Sequence, residues 1–175
     1  MVERLKKTEL LDKVEQMASK CEREVHGCGR CALAPLIKHF ELADESCGDL
    51  MLKGILPLSG GIAQTRNTCA AALGGMMAIG MVYFQKKSLE DAVIDEIKAV
   101  MALSREYYRE FEKEIGHIRC FDIREAGLGR VFDTSDPDEY EKFVKAGAYD
   151  LCCKVCGKAA RLAGEYILRI KEEEK

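Results

Sequence analysis

The stretch from Thr65 to Gln85 is apolar almost all round a helical wheel, and its first half is built of small residues: Ala70, Ala71, Ala72, Gly74 and Gly75. A helix without a polar face has to be buried. This segment is therefore expected at the centre of the molecule, with other helices closing round it. Its small side chains let a neighbouring backbone, or an inorganic group, approach closely. The run from Ala70 to Phe84 is shorter than the roughly 18–20 apolar residues that span a bilayer, so no membrane span is expected. The first residues, Met-Val-Glu-Arg-Leu-Lys-Lys-Thr-Glu, are charged and lack the apolar stretch of a secretory signal, and a cytoplasmic location is the expectation.

Amphipathic helices account for most of the remaining chain. Over residues 2–26, Leu5, Leu11, Val14, Ala18, Cys21 and Val25 lie roughly along one stripe. Gly27 and Gly29 interrupt that helix around Cys28. Cys31 is expected to open the next one, with Pro35 near its first turn, where proline is tolerated. Ser46 is the expected cap of a short helix to about Leu52, and the Gly/Pro-rich residues 54–63 read as a loop. Ser88-Leu-Glu-Asp has the form of a capping box for a long helix to about Glu114, which Gly116 stops. A helical turn is expected over residues 122–126, then a helix opened by Asp136-Pro137, with proline at its first position, and a last helix over residues 148–171. No strand, internal repeat or nucleotide-binding glycine loop is evident. The expected fold is all-α: one domain over residues 1–175, a compact bundle of about six to eight helices around the buried small-residue helix. Apolar residues are 47% of 175, enough for a core that needs no disulfides.

What such a bundle does is written in its sulfur. The chain has nine cysteines, and cytosolic cysteines in that number point to metal binding or catalysis more than to structural bridges. Cys28-Gly-Arg-Cys31 and Cys153-Lys-Val-Cys156 are CxxC pairs, a spacing that suits a redox dithiol or half of a four-sulfur metal site. Cys28 and Cys31 straddle a helix start, where free N–H groups and the helix dipole favour thiolate. Cys69 and Cys120 lie between the pairs. Cys21, Cys47 and Cys152 read as small core residues. Basic neighbours of the cysteines (Arg30, Arg66, Arg119, Lys154) carry little weight, because Lys and Arg are 27 of the 175 residues. His26 and His117 lie near cysteines but read as helix-end residues. Glu106 and Glu110 lack the Glu-x-x-His partners of a di-iron bundle. The net charge of −3 gives no basic footprint for nucleic acid.

Several of these residues also form a recognisable pattern. Gly60-Gly61-Ile62, then Thr68-Cys69-Ala70-Ala71-Ala72-Leu73-Gly74-Gly75 and Ile79-Gly80, resemble the C_GCAxxG_C_C family of redox-active proteins, a likeness running over about residues 28–170. Cys31-Ala-Leu-Ala resembles the family's first cysteine region, residues 54–62 its Gly-rich segment, residues 111–120 its third cysteine region, and Cys153, six residues before Ala159-Ala160, its fourth. The chain has Thr-Cys-Ala where the family often has Gly-Cys-Ala. Pro57-Leu58-Ser59 interrupts its Gly run, and Cys21, Cys28, Cys47, Cys152 and Cys156 are additional to the four-cysteine pattern.

The resemblance implies redox function. A related domain resembles the iron–sulfur-binding part of certain multihaem cytochromes, although this chain has no Cys-x-x-Cys-His for covalent haem. The leading expectation is an electron-transfer protein holding a 2Fe–2S or 4Fe–4S cluster through Cys31, Cys69, Cys120 and Cys153, with Cys28 and Cys156 as alternates or additions and Gly60 and Gly61 beside the group. A thiol–disulfide oxidoreductase or redox sensor using Cys28/Cys31 or Cys153/Cys156 without metal is the alternative, and a structural zinc adaptor with four cysteine ligands is the third. The expected partner is a redox protein, and a homodimer is left open.

Overall fold

The computed structural model describes residues 2–85 and 94–173, with side chains from residue 5 onward. Its described helices are α1 (Val2–Glu24), α2 (Cys28–Phe40), α3 (Glu45–Gly54), α4 (Ala70–Phe84), α5 (Ile94–Ile115), α6 (Cys120–Leu128), α7 (Pro137–Lys145) and α8 (Ala148–Glu173), with a single 3-10 turn at Leu56–Leu58. Among the described residues the only β pairing is an isolated antiparallel bridge between Thr68 and Arg119. The fold is the expected all-α bundle. No helix among the described residues is long and apolar enough to cross a membrane.

α4 is the central helix, and none of its residues is exposed. It is wrapped by α2, α5 and α8, while α1 runs along α8 and α2. Two glycines let the wrapping be this close. A Cβ on Gly74 would collide with the carbonyl of Gly29 in α2, and one on Gly75 would overlap the hydroxyl of Tyr107 in α5. Tyr107 is fully buried and donates that hydroxyl to the Ala159 carbonyl of α8 at 3.1 Å. Buried aromatics of this kind stay buried only if their polar end finds a partner. α7 forms a satellite outside the main core, where Phe143 packs on Phe132 and Ala148.

Several boundaries differ from expectation. α2 starts at Cys28 rather than Cys31, because Gly27, at φ +93°, turns the chain in one residue and frees Cys28 to be helical. Pro35 consequently lies inside the helix rather than in its first turn. Asp44, not Ser46, caps α3, its carboxylate accepting from the Cys47 N–H at 2.8 Å. α4 begins at Ala70, so residues 65–69 lie outside it. α6 begins at Cys120, two residues before the expected turn, while Asp136 and Pro137 open α7 as expected, with the Asp136 carboxylate accepting from the N–H groups of Asp138 and Glu139. The Ser88–Asp91 capping box lies outside the described residues.

Candidate functional site

The site is assembled by the connection between α3 and α4. Five consecutive residues there, Gly60, Gly61, Ile62, Ala63 and Gln64, have φ between 50° and 76°. Left-handed backbone costs about 1–2 kcal/mol per non-glycine residue and normally occurs singly, so a whole turn of it is strained backbone of the kind found at functional sites. Hydrogen bonds hold it: Arg66 N–H to Gly60 O at 3.1 Å and Asn67 N–H to Gly61 O at 2.9 Å. Gly61 cannot be replaced without displacement, since a Cβ would sit 2.7 Å from both the Asn67 carbonyl and the Cys120 Cβ.

Immediately after the turn, the chain is zipped to the entry of α6. Cys69 N–H donates to Ile118 O at 2.8 Å, Cys120 N–H to Asn67 O at 2.7 Å and Phe121 N–H to Arg66 O at 2.9 Å. This short ladder lays the start of α4 beside the start of α6. Cys69 becomes the N-cap residue of α4 and Cys120 the first residue of α6, while Cys28 is the first residue of α2. Three helix N-termini thus each present a cysteine, and unpaired N–H groups and the positive end of the dipole favour anionic sulfur at that position. The N–H groups of Ala71 and Ala72 act to lower the Cys69 thiol, and Gly60 N–H acts to lower that of Cys28, although the Cys69 side chain makes no capping hydrogen bond.

The three sulfurs meet two more from α8. Cys28, Cys69, Cys120, Cys152 and Cys156 line one cavity of about 20 Å³, closed by Arg124 of α6. Cys28 and Cys152 also reach a surface hollow of about 270 Å³ beside Glu22, His26 and Tyr149, so the cavity has a path to solvent. The sulfurs are not equivalent. The Cys156 thiol donates to the Cys28 carbonyl at 3.7 Å; its closeness to the Cys28 thiol, with help from Gly60 N–H and the Arg124 charge, lowers Cys28 to about 6 against the opposing effect of burial. The same closeness, together with burial, pushes Cys156 well up. Burial raises Cys69, Cys120 and Cys152, and the charge on Cys28 raises them further. Cys28 is thus the cavity sulfur most inclined to be a thiolate.

Arg124 is the counter-charge. It is only 6% exposed, lies 4.5 Å over the Phe143 ring, and leaves Nε and Nη1 without a hydrogen-bond partner. A buried cation with free donors is costly unless an anion faces it. Glu22 of α1, 3% exposed, lies between Cys28 and Cys31. Burial first, and the Cys28 charge second, raise its carboxyl to about 8.

Of the cysteines expected from sequence, the structure brings Cys28, Cys69, Cys120 and Cys156 to the cavity, together with Gly61, while Gly60 lines the adjacent surface hollow. Cys31 and Cys153 are elsewhere. Cys31 is buried against α1, with its sulfur 2.9 Å from that of Cys21. Cys153 lies beside Arg23 and Asp150, and the Ser19 hydroxyl of α1 donates to its carbonyl. Cys152, read from sequence as a core residue, lines the cavity. On α8 Cys152 and Cys156 are four apart and share a face, whereas Cys153 is turned by about 100° from Cys152. Sequence reasoning also missed Glu22 and Arg124. The signal for Arg124 was its place four residues after Cys120 on a helix, not adjacency to a cysteine. His26 is a helix-end residue, as expected: its Nδ1 is bonded to the Glu22 carbonyl and its ring lies 4.3 Å from that of Tyr149.

Read along the chain, the cavity cysteines run C…CA…C…C. Residues 26–166 match the sequence model of a family described as "Putative redox-active protein (C_GCAxxG_C_C)". The chain belongs to this family. In this C_GCAxxG_C_C member the cysteine before alanine is Cys69, at the cap of the buried helix. No curated protein and no solved structure matches the chain.

Proposed function

We propose that the protein is an electron-transfer protein whose cavity cysteines hold an iron–sulfur cluster, Cys28, Cys69, Cys120 and Cys156 being the ligands and Cys152 the alternate to Cys156. The carrying observation is the convergence of five sulfurs from four chain segments on one enclosed space faced by a buried arginine with unpartnered donors. A dithiol needs two sulfurs, and a core needs none of the helix N-termini. The donor set fits: four cysteine thiolates are the ordinary ligands of both cluster types. Among the described residues no group of three or more His, Cys, Asp or Glu is placed to hold one metal ion. Zinc needs its ligands around one point, whereas a 2Fe–2S group takes two thiolates per iron, so the arrangement favours the binuclear group over zinc.

When bound, such a cluster supplies one-electron chemistry. The chain's own contribution is electrostatic. Gly60 N–H favours charge on the Cys28 sulfur, Ala71 and Ala72 N–H favour it on that of Cys69, and Arg124 offsets the negative charge. Such hydrogen bonds and charges set the reduction potential of cysteine-ligated iron. The direct test is iron and acid-labile sulfide analysis with an optical spectrum on protein prepared without oxygen. Iron and sulfide in equal amounts with a visible charge-transfer band are expected. A colourless chain that takes up neither on reconstitution contradicts the proposal.

One observation favours a second reading. The space between the sulfurs is about 20 Å³, the room of about one water, and the Cys156 thiol already lies against Cys28, donating to its carbonyl at 3.7 Å. Cys28 and Cys156 would then be a metal-free dithiol acting by thiol–disulfide exchange, drawn from two different CxxC pairs rather than from one. In that case iron analysis is negative, and a reversible Cys28–Cys156 disulfide is found by peptide mapping.

A further inference from the structure

Away from the cavity, the end of α1 and the start of α2 bring together two cysteines of which only one, Cys31, falls within the residues matched by the family. The sulfurs of Cys21 and Cys31 are 2.9 Å apart, and both thiols are free. Cys31 is fully buried, and its sulfur lies 3.2 Å from the His26 carbonyl. Cys21 is partly exposed and opens on a groove of about 270 Å³ whose walls include Arg30, Lys53, Val25 and Leu56. Arg30 is fixed there by its Nε donating to His26 O at 2.7 Å. The pair therefore has one accessible sulfur beside a cation, one hidden sulfur in reach behind it, and room in front for a small molecule.

We propose that Cys21 and Cys31 are a second redox-active dithiol, which exchanges two electrons with a small organic disulfide bound in the groove between α1, α2 and α3. Cys21 is the attacking sulfur. It is the sulfur that solvent reaches; its contact with Cys31 and, more weakly, the Arg30 charge lower it to about 7, against burial and Glu24, while Cys31, whose thiol donates to the His26 carbonyl, is pushed far up. The Cys21 thiolate attacks one sulfur of the disulfide R–S–S–R. A Cys21–S–S–R bond forms, the R–S–S–R bond breaks, and RS⁻ leaves. That RS⁻ takes the Cys31 proton. The Cys31 thiolate then attacks the Cys21 sulfur, forming the Cys21–Cys31 bond and releasing the second RS⁻, which is protonated from water by the proton Cys21 gave up. The protein loses two electrons and two protons, and the disulfide becomes two thiols. This is exchange through a mixed disulfide, and the attacking and resolving roles follow from which sulfur solvent can reach. Lys53 is paired with Asp49 in the groove wall at 2.5 Å, which leaves Arg30 as the cation nearest an incoming disulfide.

Oxidised glutathione is the probe. The full chain, with and without its iron, is equilibrated under argon with graded ratios of oxidised to reduced glutathione, and its disulfides are mapped by mass spectrometry. A reversible Cys21–Cys31 link is expected in both forms. The Cys31→Ser chain is expected to accumulate a glutathione adduct on Cys21, at least tenfold above the natural chain, because nothing resolves it. Cys21→Ser should leave Cys31 unmodified. Should Cys31→Ser fail to fold, Cys31→Ala replaces it, and the map of the natural chain stands alone. No Cys21–Cys31 link at any ratio, or an adduct on exposed Cys47 without one on Cys21, overturns the proposal. Because the iron-free chain is mapped too, a negative iron result bears on the cavity and not on this pair.

Discussion

The two sulfur groups of this protein meet at the first turn of α2, three residues apart at Cys28 and Cys31, yet they are built in different ways. The cavity group draws Cys28, Cys69, Cys120, Cys152 and Cys156 from four segments and depends on a strained turn to hold them. The outer pair joins residues ten apart in sequence across one tight connection. The cavity sulfurs share a buried arginine with unpartnered donors, whereas Cys21 has a surface arginine already bonded to backbone. The difference shows that cysteine count is a poor guide to chemistry. The number of segments that converge, and the charge that faces them, separate a centre that can hold a cofactor from a pair that can only exchange.

The comparison is broken most severely at Gly61. Gly61→Ala places a Cβ 2.7 Å from Cys120 at φ +76°, so the turn must move. A loss of about 3 kcal/mol in urea unfolding is expected, with loss of the proposed iron-binding site and no change in Cys21–Cys31 disulfide formation. Arg124→Met is milder, because it keeps the contact with Phe143 but removes the charge. Cys28 is held low in part by that charge, so its pKa should rise. At pH 7 its thiolate fraction falls and its alkylation by iodoacetamide slows severalfold, while the rate at Cys21 is unchanged. Equal slowing at both cysteines would mean that the two groups are one.

Glu22 gives the most specific effect, confined to one pH window, because it touches both groups. Its folded pKa of about 8 is above the roughly 4.3 of an unfolded glutamate. The folded chain thus binds more protons between those values, and stability falls as pH rises from about 4 to about 8 and is flat beyond. Glu22→Gln removes this dependence. In metal-free protein its advantage over the natural chain should grow across that window, reaching on the order of a few kcal/mol, as read from urea midpoints at pH 5, 7 and 9. A constant difference across pH would show that Glu22 is not a buried titrating group.

Much of this fold was readable from the chain. The all-apolar run around Ala70–Phe84 marked the central helix, and Asp136-Pro137 marked the start of α7, because periodicity and capping are local. The candidate site was readable only in part. Cys69 and Cys120 stood out by position, but choosing between Cys28 and Cys31, or among Cys152, Cys153 and Cys156, requires the rotation of α2 and α8 about their axes. That rotation is set by long-range packing against α1 and α4. The left-handed turn at residues 60–64 was legible only as a loop, since Ile62, Ala63 and Gln64 do not favour positive φ, and the segment that follows it is held by hydrogen bonds to the distant entry of α6. Arg124 had no signal beyond its helical spacing from Cys120.

The central claim is that Cys28 and Cys156, rather than Cys31 and Cys153, join Cys69 and Cys120 in holding the redox group. Iron and labile sulfide content with the optical spectrum, measured on anaerobic Cys28→Ser, Cys156→Ser, Cys31→Ser and Cys153→Ser chains, tests it directly. Cluster signal lost in Cys28→Ser, and lost or shifted in Cys156→Ser, but kept in Cys31→Ser and Cys153→Ser is the predicted result. Signal kept in the first two and lost in the last two would contradict it.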